Sequence, residues 1–247
     1  IVIDLRDNGG GSLQEADMLT GIFIDQGPVV QIRDANNRIE KLYDEDPQIF
    51  WDGPLAVVVN RLSASASEIF AGALQDYGRG IIIGEDTFGK GTVQSLVNLE
   101  NGQLKLTSAK FYRISGASTQ HRGVVPDISY PSLYDKTKIG EGSLDNALPW
   151  DTINGISHRF YTDIRPSIPK LNELHTKRMT NDPDYTYLKG MLDFSAKLRA
   201  KTELSLNRAA RSNEDQQLKK NRLELENAKR SAKGLPLLKN IEALSDE

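Results

Sequence analysis

Cysteine is absent from the 247 residues. This excludes disulfides, thiolate metal sites and a cysteine nucleophile. It is compatible with an oxidising compartment without requiring one. Long apolar runs are also absent, and none reaches the length that spans a bilayer. No charge of one sign dominates: 31 Lys and Arg stand against 34 Asp and Glu, a net charge of −3. Nothing in the bulk electrostatics therefore favours nucleic acid or a membrane surface. Internal repeats and low-complexity segments are missing. So are an initiator methionine and a signal peptide. The chain opens on "IVIDLR", which has the character of a strand and reads as the interior of a longer protein. Histidine, the usual partner of a nucleophilic serine, occurs only at His121, His158 and His175. None of them sits in a Gly-rich turn.

What is present divides near residues 135–150. Residues 1–150 hold 13 Lys and Arg against 20 Asp and Glu, and residues 151–247 hold 18 against 14. The first part carries short β-like runs at 1–5, 29–33, 55–60 and 80–84. Helical stretches begin near Ser12 and near Ser65, and a hairpin around Asn101-Gly102 follows Lys90. Strand–helix alternation of this kind predicts an α/β sheet with helices packed on it. The second part reads as helical. Leu188, Leu192 and Leu198 fall at roughly helical spacing, and a further charged helix runs up to Gly234 and Pro236. Its Lys and Arg alternate with Glu and Asp, the pattern of a solvated face. The expected boundary gives a domain over 1–135 and a helical one over 136–247.

Two stretches carry candidate chemistry. "GEDTFGKGT" places Lys90 between glycines. Gly84, Gly89 and Lys90 match part of the phosphate-loop pattern, but Gly91 stands where the Mg²⁺-binding hydroxyl belongs, and the residues that follow read as a hairpin instead of a helix. A nucleotide site is therefore the weaker reading. The other stretch, "NRLSASASEIFAGALQDYG", places Ser63, Ser65 and Ser67 at a strand-to-helix turn. Ser65-Ala66-Ser67-Glu68 is a literal capping box, and capping is the commoner use of such a pattern. The alternative is nucleophilic. A serine at a helix N-terminus sits at the positive end of the dipole, and the amide after it could hold an oxyanion. Such a serine needs a base, and a lysine serves where burial lowers its pKa. On that reading Lys90 is the base for a serine.

"DLRDNGGGSLQEA", "SASASEIFAGALQDYG", "GEDTFGKGTVQ" and "HRGVVPDISYP", in this order and spacing, closely resemble the tail-specific proteases, also called C-terminal processing peptidases. The resemblance covers most of residues 1–131. "GSLDNALPWDTI" and the helical tail resemble the C-terminal extension of the longer Gram-negative members. The resemblance implies a partial crotonase-like α/β core followed by a mainly α-helical domain. It places the nucleophile on Ser65, the base on Lys90 and a lysine-orienting amide on Gln94. It gives Asp76 a carboxylate role, either in activity or in structure. Oxyanion amides would come from Ala66 and from Gly10 or Gly11. No metal or cofactor is implied.

The resemblance further implies a periplasmic parent that acts on unfolded or tagged proteins with apolar C-termini. An adaptor protein and the inner-membrane surface join the expected partners, and nucleic acid does not. The family's PDZ domain is not visible in this chain, and Gly9 stands where many members have proline. The resemblance also implies that the first strands of the protease domain lie upstream of Ile1, and without them beside the site Ser65 Oγ and Lys90 Nζ are expected to be too far apart for a hydrogen bond, or Gly9–Gly11 to be disordered or displaced. The rival readings are a non-catalytic interaction module and the nucleotide binder.

Overall fold

Short apolar runs, bounded by Pro54 and Asn60 and by Gly80 and Gly84, form the two central parallel strands of the first sheet. The computed structural model describes residues 1–161 and 164–246. β1 (Val2–Asp4), β4 (Ala56–Val59), β5 (Ile81–Gly84) and β8 (Ile128–Ser129) lie in that spatial order, all parallel. Parallel neighbours need crossovers, and α2 (Ala66–Asp76) supplies the one between β4 and β5. Ala66 to Leu74 are all buried on α2. Its run of Ala and Gly lets the neighbouring elements close in on every side, as in a helix with no solvent face. Phe70, Leu74 and Tyr77 anchor it in a core shared with Ile24, Val57 and Ile82.

α1 (Leu13–Gly21) packs beside α2. Ser12 caps it as its sequence suggests, its hydroxyl accepting from Glu15 N at 3.3 Å. The second sheet is antiparallel, in the order β3 (Ile39–Asp44), β2 (Gly27–Asp34), β7 (Gly102–Tyr112), β6 (Thr92–Leu99). β6 and β7 form the hairpin expected after Lys90. Its turn differs in detail from an Asn-Gly turn with two left-handed residues. Leu99 pairs with Gly102 across the two-residue turn Glu100-Asn101, and there only Gly102, the first residue of β7, has a positive φ, +111°. β3 and β8 were not read from the sequence. β3 carries Glu40, Lys41 and Asp44 among its six residues, and β8 is two residues long, so neither leaves a hydrophobic pattern.

The chain divides into compact units at 1–170 and 171–247. The second unit contains most of α3 (Ile168–Met179), with α4 (Pro183–Arg199) and α5 (Arg208–Ala232). Asp182 caps α4, Asn207 caps α5, and Gly234 at φ +68° follows α5. Gly190 admits the Leu225 side chain where α4 meets α5; a Cβ there would lie 2.5 Å from it. Among the described residues no helix is long and apolar enough to cross a membrane.

Candidate active site

The turn from β4 into α2 assigns three different tasks to three serines. Ser63 is fully buried. Its hydroxyl donates to Leu5 O at 2.7 Å and accepts from Asn60 N at 3.0 Å, tying β4's end to β1. Ser67 donates to Asn8 O at 3.1 Å, and Ala64 N donates to the same carbonyl at 3.0 Å. These two bonds stitch the loop after β1 onto the start of α2. Ser65 makes no such bond. It is the N-cap of α2, yet its hydroxyl makes no capping hydrogen bond. Its backbone is at φ 58°, ψ −115°, a conformation that costs a non-glycine residue of the order of 1–3 kcal/mol and recurs at functional sites. The half-buried Ser65 thus has a strained backbone and an uncommitted hydroxyl.

Glu68 explains how that conformation is held. It is fully buried, and its two oxygens accept four hydrogen bonds. Oε2 takes Ser65 N at 2.8 Å and Lys90 N at 2.9 Å. Oε1 takes Gly89 N at 2.8 Å and Thr87 Oγ1 at 2.5 Å. One carboxylate oxygen therefore joins the backbone of the serine to the backbone of the lysine. Burial pushes the Glu68 carboxyl up to about 7, opposed by the hydrogen bonds from Thr87, Gly89, Ser65 and Lys90. All four donors are satisfied only by the ionised form, because a protonated oxygen would turn an O–H toward one of them. The capping-box pattern signalled Glu68 in the sequence, and its glutamate arm forms, Ser65 N donating to Glu68 Oε2, while the Ser65 hydroxyl faces the third helical amide without making a hydrogen bond of ordinary geometry. The same glutamate also reaches the lysine loop.

Lys90 is half-buried and follows β5 in a loop locked from several sides. Phe88 N donates to Ser63 O at 2.9 Å, His121 N to Gly89 O at 2.8 Å, and Gly91 N to Gln120 Oε1 at 2.8 Å. β6 begins at Thr92, so the phosphate-loop fragment leads into a strand and offers no helix N-terminus to a phosphate. Ser65 Oγ and Lys90 Nζ share no hydrogen bond. No histidine bonds Ser65 either. His158 packs between Tyr77 and Phe160, and His121 stands behind Gly89 with its Nε2 buried and unpartnered among the described residues.

The remaining expected residues fall in and out of this cluster. Ala66 N, the first amide of α2, has no acceptor among the described residues. Gly10 packs directly on the serine turn. At φ +94°, a Cβ there would lie 2.8 Å from Ala66 N and 2.6 Å from Ala64 O, so only glycine fits. Its N–H is already given to Asn8 Oδ1 at 3.0 Å. Gly11 has open space around it and an unspent amide. Ala66 and Gly11 border a cavity of about 160 Å³ with apolar walls from Leu5, Ala16, Leu19 and Phe70.

Gln94 is exposed on β6, and its amide reaches Thr107 Oγ1 at 3.4 Å and not Lys90. Asp76 is the last residue of the eleven-residue α2, about 16 Å along the axis from Ser65. There it holds Arg113 at 2.5 and 3.1 Å and accepts from Ser115 Oγ at 3.0 Å. The structure therefore brings together Ser65, Ala66, Lys90, Gly10 and Gly11. It leaves Gln94 and Asp76 outside.

The chain itself has matches among known proteins. Residues 1–130 fit the model of peptidase family S41. The chain belongs to peptidase family S41. Residues 134–247 match the C-terminal domain of tail specific protease. Over 99% of its length the chain is 43% identical to the tail-specific protease of Haemophilus influenzae and spans 37% of that protein. It is 46% identical over 51% of its length to the carboxy-terminal-processing protease of Bartonella bacilliformis, spanning 30% of it. A solved photosystem II D1 C-terminal processing protease is 38% identical, with a TM-score of 0.47 over 52% of this chain and 34% of that one. The chain thus corresponds to about a third of the length of these relatives. The mixed α/β fold with a helical C-terminal region and the family resemblance read from the motifs both hold. The site of this S41 chain lies within the part matched by the family model.

Proposed function

We propose that this chain carries the catalytic apparatus of a C-terminal-processing serine protease that works with Ser65 and Lys90. One observation carries the reading. Of three serines in one turn, only Ser65 is freed from structural hydrogen bonds, and it alone is held in a strained conformation by a carboxylate that also holds Lys90. Ser65 Oγ attacks the substrate carbonyl, and the Lys90 amine takes its proton. Ala66 N–H and Gly11 N–H face the oxygen that gains charge. Lys90 then gives the proton to the leaving amine, which leaves an ester on Ser65. A water, deprotonated by the same lysine, hydrolyses it. The flexible stem of Lys90 closes the distance to Ser65 once substrate excludes water, as catalytic hydrogen bonds often tighten only in the complex.

The apolar cavity beside Ala66 takes the side chain on the acyl side of the cut. Substrates are unfolded or tagged proteins with apolar C-termini. By the same resemblance the protein works in the periplasm, with an adaptor protein and the inner-membrane surface as its surroundings. The test is covalent trapping with a fluorophosphonate, followed by mass mapping. The adduct is expected on Ser65, absent in Ser65→Ala and slowed in Lys90→Ala. An adduct on Ser63 or Ser67, or no adduct on any serine, overturns the reading.

A further inference from the structure

From Gln94 and Thr107 to its turn, the hairpin that begins two residues after Lys90 is an exposed ribbon among the described residues. β2 pairs with β7 only over Ala109–Tyr112, so β6 and β7 pair with each other alone from Gln94 and Thr107 to the turn. Val97, Leu99, Leu104 and Leu106 are 42–55% exposed. The register places Val97 opposite Leu104 and Ser95 opposite Leu106, so this apolar set shares one face. A two-stranded ribbon of this kind is marginal by itself and gains stability from a third strand.

The edges of the second sheet are not alike. β3 is guarded by Glu40 and Lys41, and the outer edge of β7 by Lys105. β6, "TVQSLVNL", has no charge and no proline in eight residues, and so lacks the side chains that usually block pairing at an edge. Its bonding pattern can be followed. Phe111 N donates to Gly91 O, which makes Thr92–Lys110 a pair without hydrogen bonds between them. The one irregularity, between Val93 and Gln94, lies where β7 has an extra residue and β6 is continuous. N–H groups alternate along a strand, so those of Gln94, Leu96 and Asn98 point away from β7.

We propose that the free edge of β6 is the rail on which an extended stretch of polypeptide substrate docks by strand addition, feeding it toward Ser65. The proposal rests on the protease reading for its occupant. Two features select that occupant. The edge is continuous with the Lys90 loop through Gly91 and Thr92. What it offers is a row of backbone donors and acceptors without charge, which an extended polypeptide complements whatever its sequence. Processing of unfolded chains calls for that kind of grip.

The experiment uses the chain as Ser65→Ala, so that the probe survives. The probe is a synthetic peptide alternating valine and serine, compared with the same peptide N-methylated at every second amide on either register. Amide exchange is followed residue by residue. The unmethylated peptide is expected to slow exchange at Gln94, Leu96 and Asn98 by about tenfold or more, and the methylated peptide on the pairing register to bind about tenfold more weakly, as loss of a few exposed hydrogen bonds implies. Leu96→Pro removes an outward N–H while sparing the ladder to β7. It should weaken binding to a similar degree, whereas Leu96→Ala, which keeps that N–H, should stay within about threefold.

Unchanged exchange at the three amides with peptide present overturns the proposal. So does equal binding of both methylated peptides and the parent peptide. Protection that rises with protein concentration without peptide assigns the edge to a second copy and overturns it as well. The protease reading fails separately. Cleavage of an unfolded reporter that persists in Ser65→Ala removes the nucleophile and leaves the edge result standing. Cleavage by Leu96→Pro with unchanged KM removes the rail and leaves the nucleophile.

Discussion

The two ends of α2 carry its two candidate functional residues, Ser65 and Asp76, in opposite circumstances. At the N-terminal end, Ser65 has a strained backbone and a hydroxyl with no structural partner. At the C-terminal end, Asp76 is nearly buried and saturated by Arg113 and Ser115. A side chain available for chemistry has been released from the hydrogen-bond accounting of the fold, whereas one that supports the fold has been absorbed by it. Strain points the same way, since Asp76 sits in ordinary helix and Ser65 is held off it by Glu68.

The two ends of α2 should differ most in kinetics. Ser65→Ala and Lys90→Ala are each expected to lower turnover of an unfolded reporter by about three orders of magnitude or more, and the double variant no further, because the two act as one unit. Since the hydroxyl caps nothing, Ser65→Ala should move the melting midpoint by less than the usual loss of a cap, about 1 kcal/mol. A large destabilisation by Ser65→Ala, or a double variant markedly worse than either single one, would erase the difference between the two ends.

Asp76→Ala tests the other end. It leaves Arg113 buried beside a lost partner, the side chains being 16% and 11% exposed. Denaturant unfolding should show a loss of about 3 kcal/mol, within the range for breaking a buried pair. The folded fraction should retain turnover within a few-fold. A collapse of turnover with stability intact would place Asp76 in the chemistry after all.

Glu68 sharpens the comparison through pH. Its carboxyl is raised from 4.5 to about 7. Between those values the folded chain holds a proton that the unfolded chain has released, so stability from this group is greatest below 4.5 and is lost as pH rises through 7. The site needs the opposite state, because four donors point at an ionised carboxylate. Melting temperature should therefore drift down as turnover climbs toward a limb near 7. Glu68→Gln should flatten the melting drift and abolish the limb. A flat melting profile in the unaltered chain would remove the linkage.

The smallest effect is the most direct measure of strain. Ser65→Gly should raise stability by up to about 1 kcal/mol, because glycine reaches positive φ without steric cost, less its greater freedom in the unfolded chain. Unfolding midpoints of the glycine and alanine variants give the difference. A glycine variant less stable than alanine would mean that the turn is not strained.

The strands at 1–5, 29–33, 55–60 and 80–84, the two helices with their Ser12 and Ser65 starts and the hairpin past Lys90 were all legible, because they rest on periodicity and end signals a few residues apart. The motifs around Ser65 and Lys90 were legible for the same reason, as was the helical character of the C-terminal part. Local signals within the chain thus settle which segments become strands and helices and which residue types meet at the serine turn.

Which of those residues are left free depends on contacts made across the fold. Glu68 reads locally as the cap of Ser65, yet its partners at Thr87, Gly89 and Lys90 lie about twenty residues downstream, brought close by the β4–α2–β5 crossover. Asp76 reads as a candidate until Arg113 arrives from β7's end, and Gly10 and Gly11 look alike until Asn8 takes one amide and leaves the other. A hydrogen bond across the chain depends on packing that no short window contains, and whether a polar group is spent or spare is settled by those long-range bonds.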